Sequence, residues 1–181
     1  TFSEALQELA KRTGVELKSN IPDKQTQQRE LMLQALSYAR EFYHWLLMEH
    51  PQGKIGKDYM TQERQIREDT LKTFKIGISP SDWDGLTRYL TQKKGLSPAI
   101  IIQAGLANER KNTSGYYDRF RGRIMFPLQN SRAQTLGFSG RLIPSLSQNQ
   151  METDKYINAS ETDLYHKREL LFGLDITKHA I

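Results

Sequence analysis

Arg123-Ile124-Met125-Phe126-Pro127-Leu128, followed by Thr135-Leu136-Gly137-Phe138-Ser139-Gly140-Arg141-Leu142-Ile143, is the stretch on which the architecture turns. Both runs are apolar and short, and Asn130-Ser131-Arg132-Ala133 between them has the composition of a turn, so the pair reads as an antiparallel hairpin. Pro127 lacks a backbone donor, which favours an edge strand or a bulge at that position. Gly137 and Gly140 carry no side chains, so another backbone or a ligand can approach closely there.

Upstream of the hairpin the period is helical. From Arg29 to Glu49, Met32, Ala35, Leu36, Ala39, Phe42, Tyr43 and Leu46 recur at three- and four-residue steps, and Pro51 and Gly53 end the run. The aromatic side chains of this segment (Tyr38, Phe42, Tyr43, Trp45) can either stack bases or fill a core, and the spacing favours the core. Three short helices are expected next. Asp69–Lys75 runs to Gly77. Ser81 caps a segment carrying Trp83, Leu86 and Leu90, with Asp84 at the capping-box position. Ser97-Pro98 opens Ala99–Ala104 before Gly105. Near the N-terminus, Thr1–Gly14 reads as a helix with Thr1 and Glu4 as a capping box, and the polar, Gln-rich segment from Lys18 to Gln28 reads as a linker. After the hairpin come a polar loop from Pro144 to Asp154, a brief extended segment Lys155–Asn158, and the start of a new helix from Asp175. The fold class is therefore α+β: N-terminal helices, then a small mixed or antiparallel sheet with short helices.

The chain has 181 residues, with 37% hydrophobic and 26% charged, enough for one domain or one domain with an appendage. There are no cysteines, which excludes a disulfide framework and a Cys-based zinc site on these residues. No apolar run is long enough to span a bilayer, and the N-terminus has neither the basic nor the apolar part of a signal peptide. A chain that lacks an initiating methionine and stops at Ile181 in a helix-like pattern is expected to be an excised piece of a longer protein.

Lys and Arg number 26 against 21 Asp and Glu. The placement says more than the total. Five arginines (Arg119, Arg121, Arg123, Arg132, Arg141) and no acid lie between Arg119 and Arg141, which points to local phosphate binding. If the segment around Arg119, Arg121 and Arg123 is extended, period two puts all three on one face. That row either tracks a phosphate backbone or is a solvated edge that discourages aggregation. Lys155-Tyr156-Ile157-Asn158 offers an ammonium, an aromatic face and an amide within four residues, the three groups a nucleotide site needs; an ordinary polar strand and turn has the same composition. Glu161 and Asp163 are suited to capping or turn formation rather than to magnesium, and His166 lacks nearby partners for a metal. No Ser-His-Asp arrangement, P-loop or GxGxxG pattern is present. The residues alone describe a basic nucleic-acid or nucleotide binder without a visible catalytic centre.

Five motifs, in order, carry a family resemblance: Tyr117–Leu128, Leu136–Arg141, Lys155–Thr162, His166-Lys167 and Leu171–Leu174. They resemble the consecutive core motifs of DnaG-type bacterial primases. Phe74–Gly77 with Trp83-Asp84 resembles a weaker family stretch, and Thr1–Leu17 resembles the helix that closes the family's zinc-binding domain. The resemblance implies template-directed synthesis of short RNA primers on single-stranded DNA by the full-length protein, a DNA-directed RNA polymerase of the nucleotidyltransferase type. It implies a division into 1–17 (trailing helix of the zinc-binding domain), 18–28 (linker), 29–174 (N-terminal, basic subdomain of the polymerase core) and 175–181 (start of the connection to a TOPRIM subdomain). Magnesium or manganese would be held by TOPRIM acids and zinc by the N-terminal domain, with no cofactor and no catalytic acid on these residues. Partners would be single-stranded DNA template, ribonucleoside triphosphates, an RNA-DNA hybrid and, through a C-terminal domain, the replicative helicase. No membrane is involved, and the expectation is a cytoplasmic, nucleoid-associated monomer. By motif position Arg119, Arg141, Lys155, Tyr156, Asn158 and Lys167 match the family's basic and polar groove. Arg64 matches a further basic position, although Gln65-Ile66-Arg67 follows where the family usually has glycine. The alternative is a non-catalytic module that binds single-stranded nucleic acid.

Overall fold

The computed structural model describes residues 24–110, 114–146 and 154–177, together with 9, 12 and 13. Most of the Thr1–Gly14 helix expected from sequence lies outside the described residues, although Leu9, Arg12 and Thr13 are helical. The long helix α1 runs Lys24–Met48, so it begins inside the segment read as linker. That polar first turn reaches back onto the domain, where Gln28 Nε2 donates to Gln103 Oε1 at 2.6 Å and Arg29 donates to the Asp163 carbonyl. Met32, Ala35, Leu36, Ala39, Tyr43, Leu46 and Leu47 form its buried stripe, as the period requires.

Next come α2 (Lys54–Asp58), which continues into a π-turn over Tyr59–Glu63, and α3 (Glu68–Thr73). The two-residue strand β1 (Gly77–Ile78) is followed by α4 (Gly85–Lys94) and α5 (Pro98–Gln103). The strands β2 (Ala107–Glu109) and β3 (Tyr116–Asp118) pair with each other as a small second ladder. The hairpin is β4 (Arg123–Gln129) with β5 (Thr135–Leu142); β6 (Tyr156–Asn158) and the short helix α6 (Leu174–Thr177) complete the described chain. The main sheet has the order β1-β4-β5-β6, and all of its pairs are antiparallel.

The α+β expectation and the hairpin both hold. β4 proves to be an inner strand, but β1 pairs only Ile124 and Met125, so β4 has no strand on that side by Pro127. The register slips at Leu128/Gln129, and Ala133 takes a positive φ of 60° in the turn. Gly137 and Gly140 serve packing rather than a ligand. A Cβ on Gly137 would stand 2.8 Å from the Ala159 Cβ, and one on Gly140 would stand 2.9 Å from the Phe120 ring and 3.1 Å from the Arg123 Cδ. Core side chains occupy both faces of the sheet. Met125 and Phe138 pack with Phe120, Leu86, Leu90, Ile101 and the α1 stripe on one side. Ile78 and Ile124 pack beneath Tyr59, Met60, Leu46 and Leu47 on the other.

The Ser81 cap is not formed. α4 starts at Gly85, and its first amides are satisfied from a distant strand. The buried Asp118 carboxylate accepts from Leu86 N at 2.7 Å and Thr87 N at 2.9 Å, and from the Thr87 hydroxyl. A carboxylate at a helix N-terminus answers both the orphan amides and the helix dipole, here through tertiary contact. Burial nevertheless pushes Asp118 up to about 6 against these hydrogen bonds. Asp118→Ala strands two buried amides and should cost about 2–4 kcal/mol in chemical denaturation. Because the folded value lies above the ordinary 3.8, this group's contribution is fully present below about pH 4 and is lost as pH rises through 6. The cost of Asp118→Ala should therefore be larger at pH 5 than at pH 7.5; a cost that grew with pH would show the hydrogen bonds outweighing desolvation.

Candidate nucleic-acid interface

β5 and β6 build the exposed surface by alternation. Ser139 pairs with Asn158 and Arg141 with Tyr156, which sets these four side chains on the face opposite Phe138 and Gly140. Arg141 is the centre of the arrangement. Its Nε donates to the Tyr59 hydroxyl at 2.9 Å, a terminal nitrogen donates to the Tyr156 hydroxyl, and the guanidinium lies 5.2 Å from the Tyr156 ring centroid and 6.0 Å from that of Tyr59. These hydroxyls hold the Arg141 guanidinium above its usual value. Both partners are hydroxyls rather than carboxylates, so the guanidinium is oriented without an acid beside it. Tyr156 is about half exposed, and the Asn158 amide oxygen accepts from the Ser139 hydroxyl at 2.7 Å.

Arg64 follows the π-turn, and its backbone N–H donates to the Tyr59 carbonyl at 3.0 Å, which ties it to the residue that orients Arg141. Its side chain is exposed, and Gln65 takes a positive φ of 54° directly after it, at the departure from the family pattern. Lys155 is exposed beside Tyr156 and makes no ion pair among the described residues. Lys167 is exposed in a single 3-10 turn. Glu161 accepts the Lys167 backbone N–H at 3.1 Å and pairs with His166, which fits the turn-forming role read for it; the Lys167 amide is the largest influence holding its carboxyl below the usual range.

The three alternating arginines do not share a strand face. β3 ends at Asp118, and the chain turns before β4, with Gly122 at φ 59° and its N–H on the Pro80 carbonyl. The three side chains therefore part. Arg121 donates to the Asp118 carbonyl at 2.6 Å and lies 4.5 Å over the Trp83 ring and 5.5 Å from Tyr117. Arg119 is half-buried and donates to the Asn158 carbonyl at 3.0 Å, and burial lowers its guanidinium. Arg123 is only 1% exposed, so it belongs to the core and not to a groove surface.

Trp83 was read as part of a helix face with Leu86 and Leu90, yet it stands outside α4 and is about half exposed. Arg121 and Arg110 both approach its ring, and Tyr117 meets it edge-on. The three-residue step from Trp83 to the buried Leu86 suggests a shared helix face, but the helix starts only at Gly85, so Trp83 lies ahead of it. The segment Tyr117–Arg121 thus touches Trp83 at both ends, through Tyr117 and Arg121, and reaches β6 from its middle, through Arg119. Among the described residues no group of three or more His, Asp or Glu side chains is placed to hold a metal ion.

Aromatic faces beside fixed guanidiniums are the means of gripping a single strand, bases by stacking and phosphates by charge. Residues 42–178 match the model of the DNA primase catalytic core, N-terminal domain, and the chain belongs to that family. The DNA primase of Synechococcus elongatus is 35% identical over the whole chain, and the chain spans only 26% of that protein; for the Synechocystis DNA primase the values are 36% and 28%. Among solved structures, the RNA polymerase domain of Mycobacterium tuberculosis primase DnaG superposes with a TM-score of 0.74 at 34% identity, covering 84% of this chain and 47% of that one. A DnaG primase catalytic domain bound to single-stranded DNA gives 0.71 at 30% identity, covering 85% and 45%. The chain therefore corresponds to the N-terminal part of a primase catalytic core about twice its length.

Glu161→Ala should raise amide exchange at Lys167 about tenfold or more while leaving β4 and β5 protected; unchanged exchange there would show that the carboxylate does not order the turn.

Proposed function

We propose that this chain supplies the template- and nucleotide-binding groove of a DNA primase, an enzyme making short RNA primers on single-stranded DNA. The observation that carries the reading is Arg141, oriented by Tyr59 and Tyr156 next to the exposed Asn158. In this reading Arg141, Lys155 and Lys167 neutralise triphosphate or nearby template phosphates. Tyr156 and Asn158 position a base or ribose, and Arg64 adds charge beside Tyr59. Arg121 with Trp83 and Arg110 forms a second stacking station for the template. Phosphoryl transfer also needs cations at the reacting phosphate. The described residues do not fit such a metal, so magnesium or manganese, and likewise zinc, belong in this proposal to other parts of the longer protein. So do the contacts with an RNA-DNA hybrid and with the replicative helicase.

The proposed division keeps 1–17 as the end of a zinc-binding domain, 18–28 as the approach to the core, 29–174 as the basic subdomain and 175–181 as the start of the next. α1, which begins at Lys24, makes the boundary before the core part of a helix. No described helix is long and apolar enough to cross a membrane, and the proposed setting is a cytoplasmic, nucleoid-associated monomer. Membership of the catalytic-core family favours the enzyme over a stand-alone binding module.

The direct test is binding of a labelled single-stranded oligonucleotide by this chain across a salt series. Affinity should fall steeply with salt. Arg141→Ala should make the log–log slope shallower by about 0.7, one phosphate contact on a single strand, and Trp83→Ala should weaken binding about tenfold through lost stacking. In the longer protein, Lys155→Ala should cut primer synthesis about tenfold or more without lowering thermal stability. Binding indifferent to salt, or full primer synthesis by the Lys155 variant, would sink the reading.

A further inference from the structure

β6 carries most of the proposed groove, yet it has few bonds of its own. It is three residues long, forms an edge of the main sheet, and pairs with β5 at only three positions. Such a strand frays unless something else holds it.

Two arginine side chains reach the backbone at its two ends. Arg123 donates to the Asp154 carbonyl at 3.0 Å, just ahead of Lys155 and Tyr156, and to the Gly140 carbonyl on β5 at 3.3 Å. Arg119 donates to the Asn158 carbonyl at 3.0 Å, the last residue of the strand. The Arg123 guanidinium is buried, and its stem fits because Gly140 has no Cβ. A buried guanidinium must be hydrogen-bonded to be tolerated, and its planar fork suits two carbonyls on different segments in a way an ammonium cannot match.

From this we propose that Arg119 and Arg123 are positioning residues, a two-ended clamp on β6 that fixes where Lys155, Tyr156 and Asn158 stand against nucleic acid. The inference rests on the groove reading of those three residues. It reassigns two arginines of the basic motif from phosphate ligands to backbone holders, leaving Arg121 and Arg141 as the cations of that motif that face the ligand. Gly140 becomes part of the device, since it makes room for the Arg123 stem.

Salt dependence separates a ligand from a holder. A side chain that touches phosphate lowers the slope when it is removed; one that only orders the strand lowers affinity and leaves the slope alone. Arg123→Lys keeps the charge and loses the fork, and Arg119→Lys does the same at the other end. Each is measured in this chain with a fluorescein-labelled oligothymidylate across a potassium chloride series. Amide exchange is followed in parallel at Leu142 and Ala159, whose N–H groups donate to the Lys155 and Phe138 carbonyls across the β5–β6 seam.

The expected result is about tenfold faster exchange at both amides, about tenfold weaker binding and an unchanged slope, with β4 exchange unaltered. Faster exchange with unchanged affinity would reduce the clamp to a stability device, and unchanged exchange would remove it altogether. A slope shallower by about 0.7 in Arg119→Ala or Arg123→Ala than in the charge-keeping Arg→Lys variant at the same position would make that side chain a phosphate ligand instead. Should Arg123→Lys fail to fold, Arg119→Lys decides the question by the same readouts. If the wild-type chain binds no DNA, the groove reading falls, and the exchange measurement still decides whether the clamp exists.

Discussion

The register of β4 against β5 is the constraint on which the rest depends. With Ile124 opposite Arg141 and Met125 opposite Gly140, alternation sends Met125 and Phe138 into the core under α1. The same alternation sends Ser139 and Arg141 to the other face. A slip of one residue would bury Arg141 and expose Phe138. Two glycines make the register possible. Gly137 admits Ala159 and Tyr165, and Gly140 admits Phe120 and the Arg123 stem, so side chains from three other segments close over the strand without lifting it. The exposed groups and the core are two outcomes of one pattern.

Position in the motif does not predict what an arginine does. Arg119, Arg121, Arg123 and Arg141 share a short stretch of sequence, yet their guanidiniums meet different partners: a carbonyl at the end of β6, the ring of Trp83, carbonyls in the core, and two tyrosine hydroxyls. The difference comes from the turn at Gly122. A positive φ there redirects the chain between β3 and β4, so the period-two reading fails just where the charge is densest. The acid directly before the arginines matters as much. Asp118 carries no charge to the surface; it caps α4 from a neighbouring strand and thereby fixes the segment from which Arg119 and Arg121 depart.

Much of this was readable in the sequence. The helical stripe of α1, the hairpin, the Pro98 start of α5 and the brief extended segment at Lys155–Asn158 all follow from local periodicity, turn composition or capping. What was not readable depends on residues far apart in the chain. Ser81 looked like a cap because it precedes an apolar run, but the amides of α4 are answered by Asp118, about thirty positions away. Arg123 looked like a groove residue because neighbours of its type alternate with it. Its burial is decided by Gly140 and Asp154, which no local window includes. The strands β1, β2 and β3 are too short to show a period, and they exist through their partners. Trp83 was visible as a residue and misplaced as a surface.

The pairing of β1 with β4 also governs the order in which the chain can assemble. Gly77 and Ile78 find Met125 and Ile124 only after the helices and the small β2–β3 ladder have been made. During synthesis α1 therefore leaves the ribosome well before its cover is complete: Leu86, Leu90 and Ile101 of α4 and α5 can reach the stripe first, but Met125 and Phe138 arrive only with the hairpin. For that interval the part of the stripe that the hairpin covers faces water, and slow translation ahead of the hairpin prolongs the exposure.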